Sequence, residues 1–333
     1  MGVVRPYADT KRKPRRTDQE VTRMSVMDTS RRHITLSFEV FPPRTEAGME
    51  ALCGKDGVLR QLYTLRPGYI SCTYSPGGVN AGKNLDVLDR VRADGICTPV
   101  THFTCLGNTA QSAKAQLQTY LDHGICHILA LRGDTPPGFS GTGSGLGTAA
   151  ELVALIQREF GSQFTIAVAG APEGHSDCQS LEAEIDSLKR KQDSGAARIL
   201  TRPCWDMDTF RYWLDAIRAS GIHLPVEAGV LPVTDQAETV NAVLARSGGV
   251  MPISLCALLR ENWILPNPFV KDPFDADVER KRADFRKAGI EYTVNQINEY
   301  QACGVDGIHL FTQNRFADMD LIVRQSGLTD NPA

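Results

Sequence analysis

From His33 onward a short run of apolar and β-branched residues gives way, about eight times, to a polar or Gly/Pro-rich loop and then to a helical stretch of a dozen or more residues. The runs are Thr35 to Val40, Tyr69 to Tyr74, Val100 to Cys105, His127 to Leu131, Thr165 to Ala169, Arg198 to Thr201, Leu224 to Val230 and Gly307 to Phe311. This recurrence constrains the fold more than any other feature of the chain. Eight strand-helix units in one chain predict a closed (β/α)8 TIM barrel rather than an open doubly wound sheet. Helices are expected over 111–123, 149–160, 181–194 and 206–220, the last with Asp206 as its N-cap. The longer excursion over 247–291 reads as an insertion or extended helix pair, not a second domain.

Residues 34–333 are thus expected to form one barrel catalytic domain. Residues 1–33 carry the cluster Lys11-Arg12-Lys13-Pro14-Arg15-Arg16, few large apolar residues and no periodicity, and read as a mobile basic tail. The 333 residues are 42% hydrophobic and 23% charged, enough to bury a sizeable core. A net charge of -3 gives no reason to expect a nucleic-acid partner. The apolar runs are too short and too interrupted for a membrane span. Nine cysteines without a C-x-x-C pair point to a reducing cytoplasm and free thiols.

A barrel places its chemistry where strands end and βα loops begin. Strand one ends in Ser37-Phe38-Glu39-Val40-Phe41-Pro42-Pro43, an acid at the end of an apolar strand just before a double-proline exit. Burying a lone carboxylate costs several kcal/mol and raises its pKa toward the range of a general acid. Other polar residues collect on the same rim: Thr73 and Tyr74 after strand two, His102 and Thr104 on strand three, Arg132 and Asp134 after strand four, His175 after strand five. Arg202 and Asp206 follow strand six, and Thr312, Gln313 and Asn314 follow strand eight. Each alone reads as a cap or loop residue; their convergence marks a site.

The segments SFEVFPP, CTYSPGG (72–78), THFTC (101–105), HILALRGD (127–134), LKRKQDSGA (188–196), GVLPV (229–233) and HLFTQNR (309–315) resemble, in order, those of the methylenetetrahydrofolate reductase family. The resemblance runs from about residue 35 to 320, and LRGD together with SFEVFPP is a specific combination. It implies a (β/α)8 barrel that reduces 5,10-methylenetetrahydrofolate to 5-methyltetrahydrofolate, with NADH or NADPH as hydride source and FAD as the family's cofactor. Glu39 matches the family's acid that opens the imidazolidine ring, and Asp134 the residue that stabilises the iminium and binds the pterin. Arg202, Gln313 and Thr104 are assigned to the substrate, and Thr73, His102, Arg132, His175, Glu184, Arg190 and Lys191 to the cofactor. No metal ligand is assigned: His123 and His127 are parted by Gly124 at a helix end.

The chain departs from its family at the flavin. Ala171 stands where the family carries a Tyr before Pro172 and Glu173, Glu184 and Ser187 replace Asp and Asn, Arg202 replaces Gln, and Phe311 and Gln313 replace Tyr and Leu. Two mechanisms stay open: an FAD enzyme with a remodelled cradle, or direct hydride transfer from nicotinamide to folate. A third reading, a non-catalytic or accessory folate-binding barrel, is opposed by the retained Glu39 and Asp134. Two smaller expectations complete the reading. Glu227, at a position apolar in the family, is expected to pair with Arg202 inside the barrel mouth, and the glycine-rich segment 141–147 reads as a flexible loop able to act as a lid.

Overall fold

A computed structural model describes residues 34–74, 81–133, 145–174, 180–244, 251–262 and 276–330. The expected tail, residues 1–33, lies outside them. The strands are β1 (Thr35–Val40), β2 (Tyr69–Cys72), β3 (Thr98–Thr104), β4 (His127–Leu131), β5 (Thr165–Gly170), β6 (Arg198–Thr201), β7 (Val226–Val230) and β8 (Gly307–Phe311), all parallel and closed in the order β1 to β8. The helices are α1 (Glu46–Cys53), α2 (Val58–Tyr63), α3 (Ala81–Asp94), α4 (Ala110–Asp122), α5 (Ala149–Phe160), α6 (Leu181–Asp193), α7 (Met207–Ala219), α8 (Gln236–Leu244), α9 (Ile253–Glu261), α10 (Ala276–Ala302) and α11 (Ala317–Gln325). The expected (β/α)8 barrel is therefore present, with the long excursion after β7 carrying α8, α9 and the start of α10.

Local chemistry accounts for the element ends. Thr109 and Thr148 open α4 and α5 with reciprocal capping boxes, through Ser112 and Glu151. Asp206 caps α7 as its sequence position predicts, accepting from the Asp208 N–H at 3.3 Å. Along β1 the residues alternate: Leu36, Phe38 and Val40 face the helices and join the main core, while Ser37 and Glu39 take the other face.

The barrel interior is divided. On one side Leu129, Ala167 and Leu200, from β4, β5 and β6, form a small apolar cluster with Leu131. The opposite side, from β1, β2, β3 and β8, presents Ser37, Glu39, Tyr69, Ser71, His102 and His309, all buried. Contacts between strands that are not neighbours show that these side chains meet across the interior. Ser71 of β2 lies 3.4 Å from His309 of β8, and the Arg198 guanidinium of β6 sits 4.7 Å from the ring centre of Tyr69 on β2.

Beyond the C-terminal ends of the strands a second core joins Trp205, Val233, Leu255, Leu259 and Phe285, which seats α9 and α10. Gly289 lets α10 reach the β7 exit: a Cβ there would stand 1.6 Å from the Val233 carbonyl oxygen. One turn further on, Thr293 Oγ1 accepts from the Val233 N–H at 3.0 Å.

Candidate active site

Glu39 is the last inward-facing residue of β1 and is only 6% exposed. Its backbone is held from β8. Thr312 donates its hydroxyl to the Glu39 carbonyl at 2.6 Å, and its N–H reaches the same oxygen at 3.2 Å. Two residues on, Asn314 brackets Phe41, accepting from its N–H and donating to its carbonyl, each at 2.9 Å. Gln313 and Asn314 adopt φ of 52° and 54°, and this left-handed turn is what brings the Asn314 amide back onto β1. The closing motif HLFTQNR is thus a clamp on the acid-bearing strand.

Around the carboxyl stand two histidines. Oε2 of Glu39 lies 3.5 Å from Nε2 of His102 and 3.8 Å from Nε2 of His309. Ser71 Oγ sits between the imidazoles, 3.2 Å from His102 and 3.4 Å from His309. Burial pushes the Glu39 carboxyl above its usual range, opposed by nearby His102. Burial pulls His102 down, against the pull of Glu39, and takes His309 down to about 4. The directions agree on a neutral cluster: a protonated carboxyl beside uncharged imidazoles, not an ion pair. Burial thus favours the uncharged form of each of the three groups.

The other sequence-assigned residues are distributed around this centre. Thr104, at the end of β3, is buried with a hydroxyl that makes no hydrogen bond among the described residues. Thr73 follows β2, tied to β1 by its N–H to the Val40 carbonyl at 3.1 Å. Arg132 and Arg202 follow β4 and β6, both half-buried, while Gln313 is exposed after β8. His102, assigned to the cofactor, lies beside the acid. Asp134 and His175 fall outside the described residues, as does most of the 141–147 segment; its end is anchored, with Leu146 N–H donating to the Asn108 carbonyl at 3.0 Å.

The residues of α6 test the fit of the family's flavin. Glu184 is buried, and its carboxylate accepts from the Ala171 N–H at 2.8 Å. Lys191 donates to the Ala169 carbonyl at 2.9 Å. Both side chains hold the end of β5, and Ala171, itself buried, offers no ring for stacking. Arg190 lies exposed on the same helix. Glu184 and Lys191 each turn one hydrogen bond onto the β5 backbone, and the aromatic platform is missing. The described part of the cradle does not fit an FAD held in the family's manner.

One expectation is corrected. Glu227 does not pair with Arg202. It accepts a very short hydrogen bond from the Tyr69 hydroxyl and pairs with Arg198 at 3.7 Å. The register sets Glu227 beside Leu200, so Arg198 and Arg202 lie one inward step to either side of it, and the side chain turns toward the start of β6. Gly307 makes the room: a Cβ there would come 2.8 Å from Glu227 Cγ. Sequence reasoning also left His309, Ser37, Ser71 and Tyr69 without roles. The strict alternation of β1, β2 and β8 already placed them inward with Glu39.

The family described as methylenetetrahydrofolate reductase matches residues 25–327. The chain belongs to that family. It is 30% identical over 301 residues to methylenetetrahydrofolate reductase 1 of Schizosaccharomyces pombe, covering 89% of this chain and 46% of that protein. To methylenetetrahydrofolate reductase (NADH) 1 of Arabidopsis thaliana it is 28% identical, over 91% of this chain and 50% of that one. Against 5,10-methylenetetrahydrofolate reductase of Salmonella typhimurium the identity is 29%, over 85% and 87%. The chain thus spans about half the length of these eukaryotic relatives and most of the bacterial one. A Clostridium thermocellum structure, described as binding two copies of 5-methyl-5,6,7,8-tetrahydrofolic acid, shares the fold with a TM-score of 0.54 at 12% identity, covering 89% of this chain and 94% of that one.

Proposed function

We propose that this barrel reduces 5,10-methylenetetrahydrofolate to 5-methyltetrahydrofolate, with Glu39 as the general acid. The imidazolidine ring opens when N10 takes the Glu39 proton. The N5 iminium so formed accepts a hydride at the bridging carbon. The observation that carries the reading is the neutral Glu39 cluster at the C-terminal end of β1, where this fold does its chemistry. Family membership agrees with it.

Asp134 is proposed to bind the pterin edge and stabilise the cation, on the strength of its match in LRGD. Thr104, whose buried hydroxyl makes no hydrogen bond among the described residues, is proposed as a substrate contact, together with Arg202 and Gln313. Thr73, Arg132 and His175 remain proposed contacts of the hydride donor. That donor is proposed to be NADH or NADPH, and the Arabidopsis relative's name specifies NADH. Because Ala171 offers no ring for stacking and Glu184 and Lys191 each turn a hydrogen bond onto β5, we propose direct hydride transfer from nicotinamide to folate.

The test is a visible absorbance spectrum of the purified protein, followed by an assay of methylenetetrahydrofolate reduction with NADH and NADPH, before and after adding FAD. A colourless protein with full activity is expected. A yellow protein, or a rate that depends on FAD, refutes direct transfer. Folate binding with no turnover under any condition refutes the reductase reading and leaves a folate-binding barrel.

A further inference from the structure

In the layer of helices around the barrel, the start of α7, the start of α9 and the second half of α10 line a cavity of about 350 Å³. None of its described lining residues comes from a strand, so it is separate from the Glu39 centre. Its size lies at the small end of the range for sites that take small molecules. One wall is aromatic, formed by Trp205, which is 3% exposed, and by Tyr292, which packs against the same apolar cluster. The rest is rich in acceptors: Asp206, Glu299, Asn295 and Gln296 line it, and no Lys or Arg stands among the described lining residues.

Gln296 is the group that asks for a ligand. It is 5% exposed, and its amide nitrogen donates to the Cys204 carbonyl at 2.6 Å. That contact fixes which end of the amide is which, because a carbonyl can only accept. Oε1 is left over, and it makes no hydrogen bond among the described residues although its side chain lines the cavity. A buried acceptor without a donor is destabilising, and an N–H brought by an occupant relieves it.

The carboxylates set the sign of that occupant. Asp206 accepts from the Asp208 N–H at 3.3 Å and from the Thr209 hydroxyl at 2.6 Å, and Arg211 pairs with Asp208 and Glu299 together. Three carboxylates held beside one guanidinium leave these surroundings negative. Burial pushes the Tyr292 phenol up, and the charges of Glu299 and Asp206 add to the shift. An anion is repelled here, and an apolar molecule would leave the acceptors unpaired. A guanidinium suits the cavity on each count: it is planar, weakly hydrated, stacks on aromatic rings and carries several N–H donors. We infer that this cavity binds a small organic cation, a guanidinium on a short alkyl chain, with its head against the aromatic wall and its N–H groups toward Gln296, Asp206 and Glu299. The inference goes beyond the reductase reading and stands apart from it.

The experiment uses the full chain labelled with ¹⁵N-tryptophan and follows its three indole N–H signals, with that of Trp205 identified by its loss in Trp205→Phe. Butylguanidinium is the probe, and butylurea, its uncharged isostere, is the control. The Trp205 signal is expected to titrate to saturation with butylguanidinium, while butylurea binds about tenfold more weakly or worse for want of the charge. Glu299→Gln, at an exposed site, is expected to weaken the probe about two- to fivefold. Ser254→Arg, also exposed, supplies a guanidinium from the chain itself and is expected to abolish binding. The other two indole signals, unmoved, report that each variant is folded. A Trp205 signal that does not move, one that moves equally with butylurea, or an unchanged affinity in either variant overturns the inference. No readout depends on turnover, so a failure of the reductase reading and a failure of this one are told apart.

Discussion

Replacing His309 by Gln removes a buried titrating group while keeping an amide to span its neighbours, and the consequence can be worked out in sign and size. The imidazole is taken down to about 4 by burial, helped by Arg198 and opposed by Glu227, from an unfolded value of 6.5. A group whose folded pKa is depressed contributes stability that is complete above its unfolded pKa and is lost as pH falls toward the folded one. Between about pH 7.5 and pH 5 the unfolded chain takes up a proton that folded His309 refuses, which costs about 2 kcal/mol of wild-type stability at 1.36 kcal/mol per unit. Glu39 works in the opposite sense, since its raised pKa contributes stability below 4.5 that is lost as pH climbs through the folded value. The wild-type curve alone is therefore a poor test, and the comparison with His309→Gln is the informative one. Urea unfolding followed by tryptophan fluorescence at both pH values should show the variant losing about 2 kcal/mol less than the wild type over that interval. Parallel losses in the two proteins would refute the assignment of a neutral, buried His309.

Glu39→Gln should leave the fold intact and lower turnover by about 10²- to 10⁴-fold, measured as 5-methyltetrahydrofolate formed. In the wild type, activity should fall as pH rises through the elevated Glu39 value, because only the protonated carboxyl can act. Gly289→Ala should lower the melting temperature sharply: its Cβ would stand 1.6 Å from a backbone oxygen, which no rotamer change relieves, and a circular dichroism melt equal to wild type would contradict that packing. Asn314→Ala leaves the Phe41 N–H and carbonyl without their side-chain partners, so a loss of about 1–3 kcal/mol in urea unfolding and a slower reaction are expected.

The barrel was legible because parallel strands buried on both faces and helices with one apolar side leave different marks on a sequence. Thr35–Val40, His127–Leu131 and Ala149–Phe160 fall where the pattern puts them. The inward, buried place of Glu39 was legible from its position two residues after Ser37 on an apolar strand. The Glu227 pairing was misread because neighbours in barrel order also differ in height. Strand stagger leaves Arg202 one inward step above Glu227 and Arg198 one below, and sequence alone carries no register. The tasks of Glu184 and Lys191 were hidden as well, since a residue matched to a ligand can turn back to hold its own backbone.

The clamp from β8 onto β1 also has a bearing on synthesis. The strand that bears the acid is among the first parts of the barrel to leave the ribosome, yet Thr312 and Asn314, which fasten its exit, are among the last. A nascent chain can build the outer core of its early strand-helix units before then, but it cannot fix the backbone of Glu39. A chain arrested before residue 312 lacks the groups that fasten the Glu39 and Phe41 backbone.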